Sequence, residues 1–113
     1  MNDAIYQRGL ELFNRGEFFD AHEVLEDVWR TAPAEEKKFL QGLIQVAVGL
    51  HHHSRGNLVG ARSLLARAQK NLSVYPACHG GIDLAGLRAQ VEGWVEALNR
   101  KGEVPAPPHI QRG

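Results

Sequence analysis

Two segments of this chain carry the same pattern at an offset of 40 residues. Arg15-Gly16-Glu17-Phe18-x-x-Ala21-x-x-x-Leu25 returns as Arg55-Gly56-Asn57-Leu58-x-x-Ala61-x-x-x-Leu65. Each copy reads as helix, Arg-Gly turn, helix, with a small residue where two helices approach closely. Glycine just past the last helical residue is a common helix stop. The pattern predicts two stacked αα-hairpins.

Hydrophobic spacing fills in the rest. A first helix is expected over about Asp3 to Asn14, with Ile5, Leu10 and Phe13 as apolar contacts. A second begins beyond Gly16 and stops before Pro33. A third runs from Ala34 or Glu35 to about Arg55. Asn57 caps a fourth that buries Leu58, Ala61, Leu64, Leu65, Ala68 and Leu72. Ser73 to Ile82 reads as a loop. Asp83 caps a fifth helix with Leu84, Leu87, Val91, Trp94, Val95 and Leu98 on one face. No segment alternates like a half-buried strand, so the fold class is all-α: a compact bundle of about five helices. Residues 1–102 form one helical domain. The Pro-rich tail, 103–113, is expected to lie extended on the surface or to be mobile.

The third helix is apolar around most of its circumference and should be central. Gly42 and Gly49 lie seven residues apart within it and cost about 1 kcal/mol each relative to alanine. Either a close helix crossing or space for a ligand must offset that. Gln41 and Gln45 on the same helix need hydrogen-bond partners. Trp29 and Trp94 are candidate large core fillers.

Composition narrows the function classes. Lys plus Arg and Asp plus Glu number 13 each, for a formal net charge of zero. That balance argues against a nucleic-acid partner or an anionic membrane surface, and it eases self-association, so a homo-oligomer is one expectation. Cys78 is the one cysteine, which excludes an intrachain disulfide and fits a reducing, cytoplasmic setting. The apolar stretch from Phe39 to Leu50 is too short and too polar to span a bilayer.

The second helix carries the most chemistry. Phe18, Ala21, His22, Leu25, Val28 and Trp29 form its apolar stripe, so His22 is expected on a buried face. A titratable ring there needs a partner or must stay neutral. The string HEVLE begins like a zincin helix, but Glu26 stands where the second histidine belongs, and the protease geometry fails. Glu23 points further from the stripe. His51, His52 and His53 lie 100° apart in succession and cannot chelate one ion together. One of them, His53, is expected to face His22, and His52 to join Gln45 on the flank. The candidate site is therefore a polar pocket between the second and third helices, lined by His22, Glu23, Glu26, Gln41, Gln45, His52 and His53. Cys78-His79 reads as ordinary loop.

The strings RGEFFDAHEVLEDVW and KKFLQGLIQVAVGLHHHSRGNLVGA together resemble the bacterial and archaeal proteins grouped as domain-of-unknown-function family 309. The likeness covers about Phe13 to Leu72, with Tyr75-Pro76 and Gly81-Ile82-Asp83 beyond. It implies a compact all-helical domain and supplies no reaction. The hairpins also resemble the tetratricopeptide motif, whose period is about 34. The leading expectation is a binding or scaffold domain. The alternative is a metal-binding protein or metal-dependent hydrolase, with a divalent metal on His22, Glu26 and His53 (or His52). Peptide recognition in the tetratricopeptide manner ranks last, because two hairpins make only a short groove.

Overall fold

A computed structural model describes residues 3–113. The first two residues of the 1–102 domain expectation lie outside the described residues. Five helices run in chain order: α1 Asp3–Asn14, α2 Phe18–Thr31, α3 Ala34–Ser54, α4 Leu58–Leu72 and α5 Leu84–Arg100. Each helix packs on the next, and α3 takes both α2 and α4. The protein is an all-α bundle.

The forty-residue repeat is real at the level of single bonds. Gly16 and Gly56 take φ of +80° and +78°, a left-handed conformation that glycine adopts without steric cost. In the first turn, Gly16 N–H donates to Phe13 and Glu17 N–H to Leu12. In the second, Gly56 N–H donates to His53 and Asn57 N–H to His52. The small residues Ala21 and Ala61 are both fully buried.

The helical glycines answer the question that the sequence leaves open. A β-carbon on Gly49 would lie 3.0 Å from Leu65 Cγ, and one on Gly42 would lie 2.6 Å from Leu72 Cγ. Stepping seven residues up α3 matches stepping seven down α4, as antiparallel packing requires. Gly9, forty residues before Gly49, meets Leu25 in the same way at 2.7 Å. Close helix crossing explains these glycines; no ligand space is involved.

The caps fall where the sequence puts them. Asn57 Oδ1 accepts from Gly60 N–H, and Asp83 Oδ1 from Gly86 N–H, both at 2.9 Å. Trp94 is buried at 4% exposure, whereas Trp29 only borders the core, with the Lys37 ammonium 4.3 Å above its ring.

Three expectations need correction. The loop before α5 contains a two-residue hairpin, β1 Cys78–His79 paired antiparallel with β2 Ile82–Asp83. Leu58 is 54% exposed rather than buried. The tail is extended but pinned. Asn14 brackets Ile110, donating to its carbonyl at 2.9 Å and accepting from its N–H at 2.7 Å. Gln90 treats His109 the same way. Trp94 Nε1 donates to Ala106, and Asp83 N–H to Gln111. Ile110 is thereby buried against the bundle. Two side-chain amides serve as an edge for backbone that has no helix of its own, which no periodicity could reveal.

Candidate functional site

His22 lies at the margin of the α2 stripe, with its side chain 19% exposed. Its Nδ1 sits 2.7 Å from the Phe19 carbonyl. A carbonyl only accepts, so Nδ1 carries the proton and Nε2 faces Glu26 Oε2 at 3.5 Å. Glu23 is exposed. The imidazole is thus held by its own helix and not by α3.

The other expected pocket residues scatter. Gln45 Oε1 accepts from Asn71 of α4 at 2.8 Å, so Gln45 is tied to α4 and not to α2. Gln41 is half-buried. His52 Nδ1 lies 3.4 Å from the Asn57 amide across the second turn. His53 stands edge-on to Trp94 of α5, ring centroids 4.8 Å apart. The α3 histidine linked to His22 is instead His51, through the Phe19 ring, whose centroid lies 5.0 and 5.2 Å from theirs. The proposed ligands His22, Glu26 and His53 therefore do not converge. Among the described residues no group of three His, Cys, Asp or Glu side chains is arranged to hold a metal ion. The error is one of helix phase: a residue's shift along α3 turns a side chain by 100°.

A second polar cluster joins the hairpin to the start of α3. His79 Nε2 meets Glu36 Oε2 at 2.8 Å, and the His79 ring rests on Phe39 and Tyr75. Tyr75 OH accepts from Phe39 N–H and donates to the Glu35 carbonyl. Tyr6 OH donates to Gly80 at 2.7 Å. Burial, reinforced by the negative charges of Glu36 and Asp3, pushes this phenol far above its usual range. Every one of these polar contacts is internal, so the cluster acts as a latch. Cys78-His79 is therefore more than loop, although only Glu36, distant in sequence, reveals it.

A pocket with mostly apolar walls and two cationic residues lies elsewhere, between the start of α4 and the end of α5. Its volume is about 420 Å³, within the 300–1,000 Å³ or so typical of small-molecule sites. His53, Leu58, Val59, Leu98 and Val104 form its walls. Arg62 and Lys101 also line it. Neither cation forms an ion pair with any described residue. Leu58 and Val59 are 54% and 71% exposed. One sequence signal was available: adjacent apolar residues on a helix point 100° apart, so Leu58 and Val59 cannot both enter the core. The contribution of Val104 depends on the pinned tail and had no such signal.

Comparison with known proteins gives relatives and a family but adds no reaction. An uncharacterized protein of Aquifex aeolicus (strain VF5) is 36% identical over 100 residues, covering 88% of this chain and 29% of its own length. The uncharacterized protein YpuF of Bacillus subtilis (strain 168) is 36% identical over 72 residues, covering 63% of this chain and 40% of its own. The chain thus spans less than half the length of these curated relatives. Among the described residues no helix is long and apolar enough to cross a membrane. A family model matches residues 6–64, more than half of the sequence, and the chain belongs to the family it describes, Domain of unknown function (DUF309).

Proposed function

We propose that the chain is a small helical binding module whose site is the α4–α5 groove. One observation carries the reading: leucine and valine side chains more than half exposed line a concave space of ligand size. Isolated exposed apolar residues are ordinary, but apolar residues converging on a groove mark a binding surface. The latch and the His22–Glu26 pair satisfy themselves internally and offer a ligand less. The reading assigns the domain to the cytoplasm, supported by the lone exposed thiol of Cys78.

The test is equilibrium binding of the neutral fluorophore N-phenyl-1-naphthylamine. Wild type should bind saturably. Leu58→Glu, at a position already exposed enough to tolerate charge, should bind at least about tenfold more weakly, a loss of about 1.4 kcal/mol. Absence of saturable binding, or equal binding by the variant, contradicts the proposal.

A further inference from the structure

The repeat gives the groove a reference surface within the same chain. In the first hairpin, the positive end of α2 is matched by acids: Glu17 at the cap, paired with Arg15, and Asp20 in the first turn. Forty residues on, those positions are Asn57 and Gly60, and the first turn of α4 holds no acid. His22 becomes Arg62. All of α4 carries no Asp or Glu, while α2 carries Asp20, Glu23, Glu26 and Asp27. Two copies of one scaffold thus differ in the sign of charge around equivalent turns.

Lys101 adds to the contrast. It ends α5 in a left-handed conformation, φ +56°, which costs a β-carbon-bearing residue about 1 kcal/mol, and glycine follows it at once. Lys101 and Arg62 both line the groove. Glu96, the nearest acid before it on α5, is paired with Arg100. Glu103 is exposed and does not line the groove. A mostly apolar lining with two cations that have no ion-pair partner among the described residues favours a molecule that is both apolar and anionic.

We infer that the groove binds a small amphipathic organic anion of the fatty-carboxylate kind, its hydrocarbon body against Leu58, Val59, Leu98 and Val104 and its head group between Arg62 and Lys101. Guanidinium matches carboxylate geometry with two parallel hydrogen bonds, and charge-assisted bonds are about twice as strong as neutral ones. This inference rests on the binding-module reading above.

The experiment is displacement of bound N-phenyl-1-naphthylamine by three ten-carbon probes: decanoate, decan-1-ol and decyltrimethylammonium. Decanoate should displace it about tenfold more effectively than decanol, an anionic preference on the scale of one charge-assisted pair, with the ammonium compound weakest. In Arg62→Gln/Lys101→Asn, a variant at exposed positions whose asparagine suits the left-handed site, decanoate and decanol should become equal. Equal displacement by decanoate and decanol in wild type overturns the anion inference while leaving the groove a binding site. An unchanged preference in the double variant overturns the role of the two cations. Failure of all three probes, with no fluorophore bound, overturns the binding reading itself.

Discussion

Gly42 of α3 lies so close to Leu72 of α4 that a β-carbon added to it would sit 2.6 Å from both Cγ and Cδ2 of the leucine. Leu72 has no exposed surface into which to retreat. Gly42→Ala should therefore destabilise the protein by up to about 2 kcal/mol: overpacking costs about 1–3 kcal/mol, while alanine regains about 1 kcal/mol of helix propensity. Thermal unfolding of Gly42→Ala, Leu72→Ala and the double variant checks this. The double variant should be more stable than the sum of the two losses implies, because each change relieves the other.

The tail supports the bundle. Ile110 is buried at 5% exposure, so Ile110→Ala should cost about 2–3 kcal/mol, at the lower end for buried isoleucine because the site is peripheral. Asn14→Ala removes both bonds that hold residue 110 and should cost about 1–2 kcal/mol. Denaturant midpoints measure both. Because the tail also carries Val104, either variant should loosen the groove and weaken N-phenyl-1-naphthylamine binding.

Tyr6 sets an alkaline limit. Its folded-state pKa is raised above the ordinary 10.0, so the native state holds the phenolic proton more tightly than the unfolded chain does. The resulting stability is fully present below about pH 10 and is lost as pH rises above that value. Tyr6→Phe should lower stability near neutrality by about 1 kcal/mol through the lost bond to Gly80. It should also flatten the decline above pH 10. Chemical denaturation at pH 8 and pH 10.5 distinguishes the two effects; an equal alkaline decline in the variant would show that other groups cause it.

Much of the fold is legible in the sequence because helix ends are set locally. Arg15-Gly16, Pro33, Asn57 and Asp83 each act through their own backbone or cap, and periodicity selects the buried faces of α3 and α5. The forty-residue repeat even foreshadows the matching turns. The site was less legible, for two physical reasons. His22 satisfies its ring with Phe19 and Glu26 one turn away, so an apolar stripe did not force it toward α3. Leu58, Lys101 and Val104 come from separate segments, and only the docking of α5 and the return of the tail bring them together. His79 shows the same limit: its partner Glu36 is 43 residues distant.

The groove is tested most directly by amide chemical shifts of the ¹⁵N-labelled protein titrated with decanoate. Saturable shifts are expected at His53, Leu58 to Arg62, Leu98 and Lys101 to Val104, with Phe19 to Glu26 unmoved. Shifts centred on Phe19 to Glu26, or none that saturate, would contradict the assignment of the binding site to α4 and α5.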